Sequence, residues 1–175
     1  MATNHSSVFT PFSLEISNDI TATGIKHIPT LAPPSPQCRP LILLIHGGGC
    51  TAHHFDVCPS LTASTVSSAL SIPCIAINRP GYLSSTPLEP PTLAITYHQR
   101  LGRFLHEQLF PALWRDFGVP NQCSTIVPLA HSLGSPSIIV AAALHTQDSR
   151  LNPVYPLAGI IFSGWGVIAR ASQAP

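Results

Sequence analysis

The sequence predicts an α/β fold built on a mostly parallel, doubly wound sheet. Short, continuous apolar runs recur along the chain, as expected of strands that are buried on both faces. Segments with helical patterns lie between these runs, and polar or glycine-rich turns directly follow three of them. Strands joined by helices run parallel, and right-handed crossovers then cover both faces of the sheet.

The predicted elements follow the chain in a simple order. Two antiparallel strands come first, and a Pro-rich connection leads to four strands that we expect to be parallel, with helices between them. The predicted strands are Phe12–Ser17, Ile20–Ile28, Leu41–Ile45, Pro73–Asn78, Thr125–Leu129 and Leu157–Phe162. The predicted helices are Val57–Leu70, Leu93–Phe117 with a possible kink at Pro111, and Pro136–His145.

Composition indicates one domain, residues 1–175, with a substantial core. The chain is 45% hydrophobic and only 9% charged, against roughly 25% charged residues in ordinary globular domains. Uncharged polar side chains therefore cover the surface, or part of the surface is apolar as in a piece cut from a larger domain. A formal net charge of +1 without a basic cluster argues against nucleic acid as a partner.

Cysteine usage and the chain ends predict a cytoplasmic protein. The five cysteines form no CxxC pair, which argues against a zinc site and a disulfide framework and favours free thiols in a reducing compartment. Met1–Pro11 does not resemble a signal peptide, and the C-terminus is not a peroxisomal tripeptide. Prolines interrupt the uncharged stretch Leu151–Ala169, so we expect no membrane span.

The strongest chemical signal is the sequence Ala130-His131-Ser132-Leu133-Gly134, which follows one predicted strand and precedes a helix. Small residues at both ends allow a sharp turn that lifts a serine hydroxyl above the sheet edge, as in a nucleophile elbow. We therefore predict that Ser132 is a catalytic nucleophile. The alternative is a strand-to-helix turn in which the serine only caps the helix.

A second signal, His46-Gly47-Gly48-Gly49, follows another predicted strand. Glycines let backbone N–H groups point into a cavity that a Cβ would obstruct. We predict an oxyanion hole formed by the N–H groups of Gly48, Gly49 and Leu133. The alternative is a flexible glycine turn. Because ligands bind beyond the carboxyl ends of parallel strands, we expect the loops 46–54, 78–85 and 130–135 to share one edge.

A third signal, Asn78-Arg79-Pro80-Gly81-Tyr82, also follows a strand. The motifs HGGG, RPGY and HSxG in this order resemble the α/β-hydrolase superfamily, and Gly47–Val57 resembles its fungal members, many of them encoded near secondary-metabolite genes. The resemblance spans about Leu41 to Gly166 and only the first half of the family's domain, which implies a sheet truncated after its sixth strand. It assigns supporting roles to His46, Gly47, Arg79, Pro80, Gly81, Ala130, His131 and Gly134.

Four positions depart from the family pattern. Asn78 stands where the family commonly has Asp, Leu83 where it has Gly, and Ala130 where the elbow usually begins with Gly. Pro128 lies inside the strand before the nucleophile, where a ladder donor would be lost.

A complete triad is not expected within this chain. In this fold the catalytic acid and histidine follow the serine, and only His145 and Asp148 do so here. Since a helix rises 1.5 Å per residue, His145 would lie roughly 20 Å from Ser132. We expect His98 and His106 on a helix surface, His131 to pack within the elbow, and no metal site at His53 and His54.

The sequence thus predicts a serine-dependent hydrolase. The resemblance implies a small, apolar ester, thioester or lactone as its substrate and a setting in fungal secondary (toxin) metabolism. No cofactor or metal is implied, and the partner is a small-molecule substrate. Without a base, the chain alone should show little turnover. Two alternatives remain: a truncated, non-catalytic paralogue or binding fragment, and a cofactor-free lyase or haloperoxidase on the same scaffold.

Overall fold

The structure, a computed structural model, describes residues 7–30, 38–90, 93–148 and 153–164. The strands are β1 (Thr10–Ser17), β2 (Ile20–His27), β3 (Pro40–Ile45), β4 (Asp56–Cys58), β5 (Leu61–Thr62), β6 (Cys74–Ile77), β7 (Thr125–His131) and β8 (Ile161–Ser163). The helices are α1 (Ala63–Leu70), α2 (Tyr97–Phe104), α3 (Phe110–Leu113) and α4 (Ser135–Asp148).

Six strands form one sheet in the order β1-β2-β6-β3-β7-β8. The pairs β1–β2 and β2–β6 are antiparallel, whereas β3–β6, β3–β7 and β7–β8 are parallel. This confirms the predicted fold class, including the four parallel strands and the antiparallel start. The carboxyl ends of β3, β6 and β7 therefore meet at one edge, where the three candidate loops begin.

The core covers both faces of the sheet because the side chains of its strands alternate. Along β3, Leu41, Leu43 and Ile45 face the larger cluster, which includes α2, α3 and α4. Leu44 faces the opposite, smaller cluster, which contains Phe9, Ala52 and residues of β2 and β6. A strand buried on both faces has the continuous apolar run seen in the sequence.

The predicted helix Leu93–Phe117 begins later and has a different internal geometry. Thr96 and Gln99 form a capping box at its start. A π-helical turn at Leu105–Leu109 precedes α3, and a second one at Trp114–Gly118 follows it. The first of these turns ends two residues before Pro111, which lacks the N–H that an α-helical bond would need.

The predicted helix Val57–Leu70 is wrong in its first half. Residues 56–62 form the small antiparallel β4–β5 pair, and only Ala63–Leu70 is helical. The spacing of Leu61, Val66 and Leu70 predicts one apolar helical face, and this is also wrong, because all three side chains are exposed. The buried side chains of α1 are serines. Ser67 is fully buried and donates to the Ile72 carbonyl at 2.6 Å, so a small polar side chain allows α1 to pack closely.

Strand β8 is shorter than predicted, since Leu157 makes only a single parallel bridge to Ile126. This interrupted pairing explains how β7 accommodates Pro128. Ile126 exchanges both backbone bonds with the β8 side, and Pro128, two residues later, faces the same side. The β7–β8 ladder resumes only at Leu129. Pro128 lies in the gap, where the ladder does not require a backbone N–H.

Helices of membrane-spanning length and apolarity are absent from the part of the chain that the structure describes.

Leu83 adopts a positive φ of 50° and is exposed. Because an L-residue in this conformation is strained by about 1–2 kcal/mol, Leu83→Gly should raise the free energy of unfolding by up to about 1 kcal/mol, measured by urea denaturation. Leu83→Ala keeps the strain and is the matched control, expected within about 0.5 kcal/mol of the parent. Equal stability of the two variants would contradict the strain.

Candidate active site

Ser132 lies where the sequence predicts it, at the turn between β7 and α4. Its φ is +48°, a left-handed conformation that non-glycine residues adopt only when the surrounding structure requires it. A short 3₁₀ turn, Ser132–Gly134, leads directly into the fourteen-residue α4. Ser132 is partly exposed, whereas Ala130 and Gly134 on either side are buried.

The glycine loop after β3 lies directly against this turn. A Cβ placed on Gly47 would come within 3.0 Å of the Ser132 Cβ, and one on Gly48 within 2.6 Å of Leu133 Cδ1. Gly48 and Gly49 donate no backbone hydrogen bond to another described residue. The Leu133 N–H belongs to the first turn of a helix, where backbone donors lack intrahelical partners. All three predicted oxyanion donors thus lie at the same edge as Ser132.

His46 and Arg79 connect this glycine loop to the loop after β6. The Gly47 carbonyl is 2.8 Å from His46 Nδ1 and accepts from Arg79 Nη2 at 2.9 Å. The Arg79 backbone N–H donates to His46 Nε2 at 3.1 Å. Nε2 therefore acts as an acceptor, and the Nδ1 atom carries the proton that Gly47 accepts.

Burial lowers the pKa of His46 to about 4, and the nearby Arg79 charge contributes in the same direction. The ring is fully buried and packs edge-on against Tyr82, with 4.7 Å between the ring centroids. His46 is therefore neutral at physiological pH, as its two hydrogen bonds require.

The loop after β6 is a compact turn. Pro80 is buried, Gly81 has a φ of +81°, and the Tyr82 N–H donates to the Arg79 carbonyl at 2.9 Å. Asn78, the departure from Asp, accepts from the Ala52 N–H at 2.9 Å and donates to Thr23 Oγ1 at 3.0 Å. An amide supplies both the acceptor and the donor, so this departure fits its surroundings.

His131 packs within the elbow region, as expected. Its ring stacks on His54 at 4.7 Å, and its Nδ1 lies 3.3 Å from Ser163 Oγ. His53 is exposed. No group of three or more potential metal ligands occurs among the described residues.

The two residues after Ser132 that could have completed a triad make a different cluster. Asp148 lies 2.8 Å from His106 Nε2, and His106 Nδ1 lies 2.9 Å from Tyr155 Oη. His145 Nε2 is 2.9 Å from the Tyr155 carbonyl. The next carbonyl, that of Pro156, bonds to Ile126 near the start of β7, so the cluster lies at the opposite end of this strand from Ser132.

The prediction that His98 and His106 lie on a helix surface is wrong for His106. Sequence reasoning also did not predict that the residues around Tyr155 form one cluster. His106 is buried rather than on the helix surface, and His98 is partly buried. In the predicted helix Leu93–Phe117, leucines at four-residue spacing (Leu101, Leu105, Leu109 and Leu113) predict the apolar face, and all four are buried. This spacing carries no information on a histidine that reaches the distant Tyr155.

A cavity of about 360 Å³ opens beside the elbow. Its lining joins the loop after β6, the start of α2 and the elbow itself. The lining residues are Arg79, Pro80, Tyr82, Tyr97, His98 and Leu133.

Gly47→Ala should lower the free energy of unfolding by about 1–3 kcal/mol, the usual cost of overpacking. The added methyl would meet Ser132 Cβ at 3.0 Å and His131 Cδ2 at 3.2 Å. Thermal or urea unfolding measures the change. Gly159→Ala is the matched control, because nothing lies within 4 Å of the added atom. If Gly47→Ala lowers the free energy of unfolding no more than Gly159→Ala does, the close contact between Gly47 and Ser132 is contradicted.

Acidification should destabilise the fold partly through His46. The unfolded side chain binds a proton near pH 6.5 and the folded one only near pH 4. The unfolded state therefore binds more protons between these values, and stability falls with pH across this window by at most about 3 kcal/mol. His46→Asn should flatten the profile of unfolding free energy against pH, and His53→Asn should not. Parallel profiles of His46→Asn and the parent would contradict this assignment.

Comparison with known proteins extends this description. No protein-family model and no curated protein matches the sequence. Among solved structures, an epoxide hydrolase from Aspergillus niger is similar over 95% of this chain and 37% of its own, with 16% identity and a TM-score of 0.58. One from Vigna radiata matches over 95% and 43%, with 13% identity and a TM-score of 0.55.

A third, epoxide hydrolase A from Mycobacterium thermoresistibile, matches over 88% of this chain and 38% of its own, with 16% identity and a TM-score of 0.54. The chain therefore spans about two fifths of the length of these proteins. At such identities the likeness establishes architecture and not activity. The described sheet and its helices have the α/β-hydrolase fold.

Proposed function

We propose that this chain carries the nucleophile and oxyanion hole of a serine-dependent hydrolase. Ser132 Oγ attacks the carbonyl carbon of a small ester, thioester or lactone and forms an acyl-serine as the acyl C–O or C–S bond breaks. The proton of the serine passes to the alcohol or thiol, which departs from an ester or thioester and stays attached in an opened lactone. The N–H groups of Gly48, Gly49 and Leu133 hold the oxyanion. Water then releases the acid. Biosynthesis of a fungal secondary metabolite in the cytoplasm is the proposed setting, on the basis of resemblance.

One observation carries the proposal: Ser132 has a φ of +48° and lies against the glycine loop. Strain of this kind costs on the order of 1–3 kcal/mol and clusters at functional sites. A serine that only caps a helix has extended backbone and needs no such conformation. The N–H groups of Gly48 and Gly49 near this serine also make no backbone hydrogen bond with another described residue. They are therefore free to bind an oxyanion.

The proposal requires a base that the described residues do not place beside Ser132. His145 contacts the Tyr155 carbonyl instead, and Asp148 contacts His106. His131 contacts Ser163 and His54. An unassisted serine hydroxyl is a weak nucleophile at neutral pH, so we expect the chain alone to turn over slowly.

The same observation favours a second candidate, a non-catalytic unit that keeps the fold and binds a small molecule. Both candidates share the cavity beside the elbow and differ only in whether Ser132 reacts. The solved structures of similar fold are epoxide hydrolases, so an epoxide is included as a comparison substrate.

A free base can replace the missing one, because imidazole is small enough to reach a partly exposed serine. We expect hydrolysis of p-nitrophenyl butyrate by residues 1–175 to rise with imidazole concentration. The rise beyond the Ser132→Ala background is the quantity measured. A positioned base contributes about 10²–10⁴-fold, and free imidazole should recover a part of it.

Ser84→Ala is the matched control, since Ser84 is an exposed serine in the neighbouring loop, and it should behave as the parent. Equal rates of the parent and Ser132→Ala at every imidazole concentration would refute the nucleophile and favour the binding unit. Fast, Ser132-dependent turnover without imidazole would instead reveal a base in the chain, and variants of His54 and His131 would then identify it. Turnover of an epoxide without turnover of the ester would show that the substrate is an epoxide and not an ester.

A further inference from the structure

Arg79 is a buried cation without a counter-ion among the described residues. It is only 3% exposed. The ion pairs in the described parts of the chain join Arg103 to Glu107, His106 to Asp148 and Arg115 to Asp116. Buried charges are normally paired or hydrogen-bonded on all sides, because removal from water is costly.

The guanidinium of Arg79 is also only partly hydrogen-bonded. Nη2 donates to the Gly47 carbonyl at 2.9 Å and to Tyr82 Oη at 3.0 Å. Nε is sealed from solvent without a partner. Nη1 has no acceptor among the described residues and is not sealed. The guanidinium of Arg79 therefore has a free donor at Nη1, which a ligand could reach.

Arg79 is also one of the residues that line the cavity beside the elbow. The lining of the cavity contains one formal positive charge, on Arg79, and no carboxylate. Burial raises the pKa of Tyr97, so its hydroxyl keeps its proton as a donor. Burial, followed by the charge of Arg79, lowers the pKa of His98, so this ring is neutral at physiological pH. The cavity thus offers donors and one positive charge.

We infer that this cavity binds the carboxylate of a small organic acid, with Arg79 as its counter-ion. The carboxylate accepts from Arg79 Nη1 and from a tyrosine hydroxyl in the lining, and the rest of the ligand lies against Pro80 and Leu133. Charge-assisted bonds of this kind are about twice as strong as neutral ones.

A carboxylate fits better than a phosphate. Phosphate sites generally gather several backbone N–H groups or cations around three or more oxygens, whereas this cavity has a single cation. Its remaining walls are a proline, a leucine and aromatic rings, which suit the hydrocarbon part of an organic acid.

The inference deepens the proposed function, on which its catalytic meaning rests. Since Leu133 belongs to both the cavity and the proposed oxyanion hole, the substrate would be an ester or lactone that also carries a free carboxylate. Binding itself does not require the chemistry of Ser132, so the two proposals can fail separately.

Binding of butyrate to residues 1–175, followed by NMR chemical shifts of backbone amides, tests the inference. Butyramide, which has the same shape without the charge, is the neutral probe, and inorganic phosphate is the third. We expect butyrate to shift amides around Arg79 and Leu133, and to bind at least about tenfold more tightly than butyramide. Equal binding of butyramide, or tighter binding of phosphate, overturns the assignment.

Arg79→Met should weaken butyrate binding by about tenfold or more, and Arg79→Lys by less, since it keeps the charge. Arg103→Met removes an equal charge from an exposed position and should bind as the parent. If Arg79→Met fails to fold, Tyr97→Phe decides, because it removes only a hydroxyl; weaker binding supports the inference, and unchanged binding by Tyr97→Phe and Tyr82→Phe refutes it.

Ser132→Ala separates the two proposals, since it removes the nucleophile and leaves Arg79 in place. Butyrate binding by Ser132→Ala, without any Ser132-dependent hydrolysis in the parent, supports the carboxylate site and refutes the hydrolase. Ser132-dependent hydrolysis of p-nitrophenyl butyrate without a preference for butyrate over butyramide does the reverse.

Discussion

The carbonyl oxygen of Gly47 accepts from Arg79 Nη2 and from His46 Nδ1, and the candidate site depends on this arrangement. The glycine follows β3 and the arginine follows β6, so the bond from Arg79 joins two loops that are separated along the sequence. They also fix Gly47 against Ser132, which leaves no room for a Cβ. The position of the elbow relative to the glycine loop is therefore set by an arginine in a third loop.

The electrostatics of the site follow from the same residues. His46 must be neutral to accept from the Arg79 backbone and donate to Gly47, and burial ensures this by lowering its pKa to about 4. The positive charge of Arg79 then has no carboxylate in the cavity lining to balance it. A site that is positive and rich in donors suits both a developing oxyanion and a bound carboxylate.

Several elements could be predicted from the sequence because local patterns determine them. The apolar runs of β3, β6 and β7 identify strands buried on both faces, and the small residues around Ser132 identify the turn that follows. The predictions failed where local patterns compete or are silent. Val66 and Leu70 have helical spacing and yet are exposed, because α1 packs through Ser67 instead. The length of β8 depends on pairing with β7, which is non-local.

The sequence by itself determined the fold class, the order of the motifs and the edge on which they meet, since strand direction follows from the helices between strands. The catalytic role of Ser132 stays a prediction. Only the tertiary structure decided that Arg79 is buried without a described counter-ion, and that His106, Asp148 and Tyr155 form one cluster at the other end of β7. Such relations depend on contacts between residues far apart in the chain, and neither composition nor periodicity encodes these distances.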